Sequence, residues 1–191
     1  MIIAITGTIS SGKGKVAELF RDKGFKHHSF SSEIRQVAKE HGIEINRKNL
    51  SKLGHDLRVE SPKESILGKR LLDKILKEID KGEKNFVIEG LRDSDEVDMF
   101  RKHELERPEQ RFILIGVDAL QEVRFERMKK RGRHGEPETF EEFKAIDDHE
   151  LLGDQGQEVG KTLNMSDYVI QNDKGLEELK QKVEDISSEI L

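Results

Sequence analysis

Seven residues near the start of the chain, Gly7-Thr8-Ile9-Ser10-Ser11-Gly12-Lys13, have the types and spacing of a phosphate cradle. Glycines permit backbone angles that turn successive N–H groups inward around phosphate oxygens. A helix starting at Lys13 would add the partial positive charge of its N-terminus, and the Lys13 ammonium would bridge the outer phosphates. The apolar run Ile2-Ile3-Ala4-Ile5 precedes the loop, so the GxxxxGK pattern lies in the strand–loop–helix context that it requires. After Lys13 the common pattern carries Ser or Thr, whose hydroxyl holds Mg²⁺; this chain has Gly14 and then Lys15. The metal is therefore expected on phosphates and waters instead of a loop side chain, which Mg²⁺ tolerates because it keeps several waters.

Two more groups of residues bear on phosphate chemistry. Phe86-Val87-Ile88-Glu89-Gly90-Leu91-Arg92 reads as an apolar strand ending in a carboxylate. Paired with the loop, Glu89 is expected near the metal's water shell or the attacking group, Gly90 lets the chain come close, and Arg92 points at phosphate. Arg124, Arg127 and Arg131 recur three or four residues apart, on one helix face, with Arg133 just beyond. Arginine forks bind phosphate oxygens in pairs, and a closing segment rich in Arg can stabilise a migrating phosphoryl group. His27, His28, His41, His55 and His103 read as surface or packing residues. Asp147-Asp148-His149-Glu150 is not a ligand set, because consecutive helical residues point in different directions.

The elements that must position these groups follow from hydrophobic spacing. Strands are expected at 1–6, 86–89, 111–117 and 167–171, with a weaker one at 26–30. Between them lie segments with helical periodicity: Val16, Leu19 and Phe20; Ile34, Val37 and Ala38; Ile66, Leu71, Leu72, Ile75, Leu76 and Ile79. Val123, Phe125 and Met128 mark another, and Leu176, Leu179, Val183, Ile186 and Ile190 the last. Short strands alternating with helices predict an α/β fold on a parallel sheet. Residues 31–83 are too long for one crossover. Residues 131–165 are polar and Gly-containing, opening with Arg131, Gly132, Arg133, His134, Gly135, Glu136 and Pro137. Insertions of this kind usually carry function.

With 191 residues the chain suits one domain, 1–191, with no linker separating independent units. Hydrophobic residues make up 34% and charged residues 38%, with 34 Lys+Arg against 39 Asp+Glu. That near balance argues against a nucleic-acid partner, which would call for basic excess, and abundant Lys and Glu suit a heat-tolerant source. No apolar stretch is long enough to span a membrane, the N-terminus does not read as a signal peptide, and there is no Cys. A cytoplasmic protein, monomer or homodimer, acting on small-molecule nucleotides is the expectation.

Taken together these residues resemble the P-loop nucleoside monophosphate kinase group. Within it they are most similar to a family of predicted nucleotide kinases, best represented in archaea and related to adenylate and dephospho-coenzyme A kinases. The likeness covers nearly the whole chain. Ser31-Ser32-Glu33-Ile34-Arg35 sits where the family has Gly-Asp-x-x-Arg, its Gly-Asp pair replaced by Ser32-Glu33. Leu57-Arg58, Glu89-Gly90-Leu91-Arg92, and Ser166 to Asn172 match further family segments, the last flanking the donor adenine. Arg124 to Arg133 match the start of a lid, whose helical part carries Phe143, Asp147 and Glu150. His134-Gly135-Glu136 intervenes before the family's acidic pair.

The resemblance implies a three-layer α/β/α P-loop NTPase sandwich with a central parallel five-stranded sheet. Its core would comprise 1–30, 84–130 and 166–191, with a helical acceptor-binding insertion at about 31–83 and an Arg-rich lid at about 131–165. It implies ATP and Mg²⁺ as cofactors and transfer to a nucleoside or deoxynucleoside monophosphate. Gly7, Thr8, Ile9, Ser10, Ser11, Gly12, Lys13, Gly14, Lys15, Arg133 and Asn172 would bind ATP, and Ser32, Arg35, Arg58 and Arg92 the acceptor. Lys13, Glu89, Arg127 and Arg131 would be catalytic, Glu89 meeting the metal through water. Two other readings stay open: a kinase acting on a hydroxyl, as in dephospho-coenzyme A kinase, with Glu89 as base, and an ATP-binding regulator with little turnover.

Overall fold

The computed structural model describes residues 1–60, 65–133, 135–153 and 158–191; His134 and parts of both insertions, 61–64 and 154–157, lie outside the described residues. Five strands are present: β1 (Ile2–Gly7), β2 (Lys26–Ser29), β3 (Phe86–Glu89), β4 (Phe112–Asp118) and β5 (Tyr168–Gln171). All pairings are parallel and the order is β2-β3-β1-β4-β5. Each expected strand is there to within a residue or so. β2 is the least apolar, Lys-His-His-Ser, and it lies at the sheet edge, where polar side chains meet solvent.

Side-chain alternation splits the strands between two cores. Ile3, Ile5, Val87, Ile113, Ile115 and Ile170 face α1 (Lys13–Asp22) and α9 (Leu176–Ile190), which contribute Val16, Phe20, Leu179 and Val183. Ile2, Ala4, Phe86, Ile88, Phe112 and Leu114 face α4 (Ile66–Ile79) and α5 (Ser94–Glu106), which contribute Leu67, Leu71, Ile75, Val97 and Phe100. Burying each such side chain contributes about 1.5–3 kcal/mol. Because β1 and β4 are covered on both faces, they read as unbroken apolar runs instead of alternating ones. The result is the three-layer α/β/α sandwich.

Three helices fill the interval between β2 and β3: α2 (Phe30–Glu40), α3 (Arg47–Val59) and α4. The Ser29 side chain caps α2 by accepting from the Ser32 N–H. Leu67, Leu71 and Ile75 of α4 and Phe30 of α2 belong to the sheet's own core, with Ile34 of α2 and Leu57 of α3 packed against it. After β4 come α6 (Gln121–Arg131), α7 (Phe140–Leu152) and the short α8 (Val159–Asn164). Capping boxes open α5, at Asp93 and Glu96, and α7, at Thr139 and Glu142. α8 returns to the sheet, where Thr6 Oγ1 and Thr162 Oγ1 share a hydrogen bond of 2.8 Å. Among the described residues no helix is long and apolar enough to cross a membrane.

Candidate functional site

The loop between β1 and α1 is locked from both sides. Gly7 has φ 144°, and a Cβ there would lie 2.0 Å from the Val117 carbonyl oxygen of β4, so no side chain fits. Gly12 has φ 107°, and a Cβ there would meet Asn172 Nδ2 at 2.5 Å. That amide instead donates to the Ser11 carbonyl at 2.7 Å, and the Asn172 N–H donates to the Asp118 carbonyl at 2.7 Å. Thr8 Oγ1 donates to Asp118 Oδ1, also at 2.7 Å. The C-terminal ends of β4 and β5 thus hold the loop in shape before any ligand arrives.

What the loop presents is a set of unmatched donors. Gly12, the N-cap of α1, supplies no side-chain cap; the Lys15 N–H donates to the Gly12 carbonyl at 2.9 Å, and the Lys13 and Gly14 N–H groups have no intrahelical acceptor. The hydroxyls of Ser10 and Ser11 are buried without a partner, and such groups usually signal a missing ligand or water. Ser10 also takes φ 58°, an uncommon angle for a residue with a side chain. Lys13 Nζ turns back into the loop and donates to the carbonyls of Gly7 at 2.7 Å and Thr8 at 2.5 Å. Burial lowers its pKa to about 7, with the nearby Arg92 charge acting in the same direction and Glu150 and Glu89 opposing both. Orphan hydroxyls, an uncapped helix and an ammonium together fit a polyphosphate.

Glu89 faces this loop from the end of β3. A Cβ on Gly14 would lie 3.5 Å from Glu89 Oε1 and 3.8 Å from Oε2. That is ordinary contact, so space alone does not require glycine at 14. His27 Nε2 lies 3.4 Å from Glu89 Oε2. The His27 interaction is the main cause that holds the Glu89 pKa below its usual value, against burial; the charges of Lys13 and Arg133 assist. Glu89 is therefore a carboxylate at neutral pH and fits a hydrated cation. Among the described residues no group of three or more His, Asp or Glu could hold a metal ion; a single carboxylate beside a phosphate cradle fits Mg²⁺, which keeps several waters and is commonly held by one or two carboxylates plus phosphates.

The arginines divide by environment. Arg92 stays at the loop: its Nη1 meets Glu150 Oε1 of α7 at 3.1 Å. Arg127 lies on the opposite side, donating to the Ser11 carbonyl at 3.5 Å. There it lines a cavity of about 240 Å³ together with Gly12, Lys15, Asn172, Gly175 and Leu176. Arg131 is ion-paired with Glu136, whose other oxygen accepts from the Arg133 N–H at 3.3 Å. Arg47 of α3 reaches the same turn, donating to the Gly135 carbonyl at 3.0 Å. Arg35 is exposed and donates to Ser31 Oγ at 2.5 Å, while Ser32 bonds back to the Ser29 carbonyl at 2.7 Å. Lys15 pairs with Glu18 at 2.9 Å.

Two arginines turn inward. Arg58 is only 6% exposed, with Nε 2.9 Å from the fully buried Glu96. It therefore stands behind the wall of the site, where the sequence suggests an open phosphate ligand. Burial pushes the Glu96 pKa up, and Arg58 opposes it. Glu96 Oε2 in turn accepts from the Arg92 N–H at 2.9 Å, fixing the turn that presents Arg92. Arg124 makes a two-pronged pair with the buried Asp147 of α7 and donates to the Ile9 carbonyl at 3.3 Å.

Several contributors are not evident in the sequence. His27 reads as a surface residue, since nothing in Lys-His-His-Ser tells which ring faces the site. Asp118 could have been found, because β4, like β3, ends in a carboxylate. Glu96, Glu136 and Glu150 each match an arginine across more than a turn of chain, and no local pattern marks such pairs.

Comparison with known proteins agrees with this geometry. A family model described as an AAA domain matches residues 3–150. The UPF0200 protein of Thermococcus onnurineus is 33% identical over 191 residues, covering all of this chain and 98% of the relative. Its counterpart in Methanocaldococcus jannaschii is 31% identical over the same length, covering 91% of the relative. Among solved structures, Thermus thermophilus TT1252 superposes with a TM-score of 0.59 at 20% identity, over 100% of this chain and 98% of that one. Shikimate kinase from Aquifex aeolicus does so with 0.53 at 18%, over 98% and 96%. The structural likenesses show the shared fold, and the sequence relatives go further: with its phosphate-binding loop intact and its whole length matched, this chain belongs to the UPF0200 family of P-loop proteins.

Proposed function

We propose that this protein transfers the γ-phosphoryl group of ATP to a nucleoside or deoxynucleoside monophosphate. The observation that carries this reading is the loop itself: an uncapped helix N-terminus, two orphan hydroxyls and Lys13 converge on one point. Cationic groups from separate segments, Arg92 and Arg133, stand close enough to influence that point's charges.

Loop amides and Lys13 hold the β- and γ-phosphates; Glu89 would meet a Mg²⁺ ion through water, and that ion would supply positive charge to the phosphates. The cavity beside Arg127 and Asn172 takes the donor base. Arg35, Ser32 and Arg92 receive the acceptor phosphate, with Arg58 holding Arg92's turn through Glu96. An acceptor phosphate oxygen attacks the γ-phosphorus, the bond to the β-phosphate oxygen breaks, and ADP leaves. An ionised acceptor phosphate needs no general base, so positioning and cations suffice. Arg131 and Arg133 close over the moving group once Glu136 gives way.

The test is ADP release coupled to a detector, with a panel of NMPs, dNMPs and dephospho-coenzyme A. Stimulation by a monophosphate at least several-fold above the acceptor-free rate supports the reading. Stimulation by dephospho-coenzyme A alone replaces it with hydroxyl transfer, for which Glu89 beside His27 is the available base. No stimulation by any acceptor overturns it.

A further inference from the structure

We propose that His27 is the positioning residue that aims Glu89 at a hydrated divalent cation, and that this pair does the work of the hydroxyl missing at position 14. The inference rests on the phosphoryl-transfer reading above. Gly14 and Glu89 address the same point: a side chain at 14 would touch Glu89 Oε1 at 3.5 Å. In the common loop that point belongs to a Ser or Thr oxygen on Mg²⁺. Here the nearest atom from outside that stretch of helix is a carboxylate oxygen on the neighbouring strand end.

A glutamate alone is a poor replacement, because its long side chain loses rotamer freedom whenever it is fixed. His27 removes that difficulty. β2 and β3 pair in parallel, with His27 opposite Val87 and Ser29 opposite Glu89. Side chains two residues apart share a sheet face, so His27 and Ser29 lie with Val87 and Glu89 on the face covered by α1. From there the His27 ring reaches forward, and Nε2 stands 3.4 Å from Oε2. A proton on Nε2 directs that oxygen and leaves Oε1, the one nearer Gly14, for a metal-bound water. At 3.4 Å the pair is within ion-pair reach but not yet in hydrogen-bond geometry, and such contacts tighten when ligands bind. Both side chains are about one-third exposed, His27 34% and Glu89 30%, so a hydrated ion can reach them.

Metal binding, not turnover, provides the test. A fluorescent ATP analogue is bound to the wild type, His27→Leu, His27→Gln and the double variant His27→Leu/Gly14→Ser while Mg²⁺ is titrated. Mn²⁺ binding in the presence of ATP is followed in parallel by electron paramagnetic resonance. Loss of an outer-shell partner costs about 10–100-fold in metal affinity; His27 acts through Glu89 and water, so His27→Leu should raise the half-saturating Mg²⁺ by about tenfold, the lower end of that range. Its nucleotide affinity in EDTA should stay that of the wild type. Gln keeps an N–H donor and should stay close to wild type, and the hydroxyl introduced by Gly14→Ser should restore Mg²⁺ affinity to the double variant. Thermal melting checks that the half-exposed site tolerates each change.

The same Mg²⁺ requirement in wild type and His27→Leu, or a Gln variant as impaired as Leu, overturns the inference alone. A wild type whose nucleotide binding ignores Mg²⁺ overturns both the inference and the phosphoryl-transfer reading.

Discussion

Lys13 carries a charge that its surroundings only partly accept. Burial lowers its pKa to about 7, and Arg92 adds to the effect. In the unliganded protein the group is therefore losing its proton just above neutrality. A triphosphate beside it favours the charged form and raises the pKa again. Between about pH 7 and the liganded pKa, binding must take up a proton, so affinity falls as pH rises, by up to about tenfold per unit. Calorimetry of a non-hydrolysable ATP analogue from pH 7.5 to 9, in two buffers of different ionisation enthalpy, reads that uptake directly. Below about pH 7 the lysine is already charged, and its share of the pH dependence disappears. The substitution Lys13→Met should lower phosphoryl transfer by at least about 100-fold, the effect of deleting one preorganised donor at a developing charge.

Helices are joined to the site through paired charges, and these pairs are not equivalent. Arg58 of α3 and Glu96 of α5 are both enclosed. Removing one partner strands the other, so Arg58→Met should cost about 3–5 kcal/mol in urea unfolding, with Arg58→Met/Glu96→Leu recovering much of it. In the double variant, whose wall is repaired, Arg92 loses the Glu96 carboxylate that holds its N–H, so the acceptor KM should rise while the KM for ATP stays that of the wild type. Arg131 and Glu136, by contrast, meet in the turn after α6, where the Arg131 side chain is 36% exposed and that of Glu136 only 8%. With Arg47 of α3 bonded to Gly135, they tie the turn after α6 to α3. A pair with one exposed partner is worth about 1 kcal/mol, the upper end for exposed pairs. Glu136→Gln should then free Arg131 and lower the KM for ATP by about fivefold, with little change in thermal stability.

For the molecule as a whole, ligand binding and stability are linked because the loop is assembled from three strand ends. Gly7 touches β4, Asn172 anchors the loop from beyond β5, and Glu89 faces it from β3. Unfolding any of these destroys the site, so a nucleotide held by the loop can bind only the native state. At 100 times its Kd, ATP should add about 2.7 kcal/mol, which for a chain of this size raises Tm by about 5–10 °C. Differential scanning fluorimetry with and without Mg²⁺-ATP measures it. Gly7→Ala should abolish the shift and lower the basal Tm, because its Cβ would collide with the Val117 carbonyl.

Local order carried much of this into the sequence. Buried parallel strands must be apolar runs, and a phosphate loop must join strand to helix with glycines at fixed spacing, so β1, β3, β4 and Gly7 to Lys13 are legible from residues close together. Even the polar strand β2 is detectable from its place before α2. Partnership across the chain is different. That Arg58 and Arg124 turn inward depends on Glu96 and Asp147, 38 and 23 residues away. An arginine's sequence neighbours do not reveal whether a carboxylate awaits it in the core or a phosphate in the cleft. His27 shows the same limit. A histidine on an edge strand faces solvent or the site according to strand register, and only the pairing of β2 with β3 brings its ring to Glu89. Sequence determined that phosphate is bound and where, since backbone geometry at the loop is local. Tertiary structure decided which charges remain at the site, since that depends on which are neutralised by groups far along the chain.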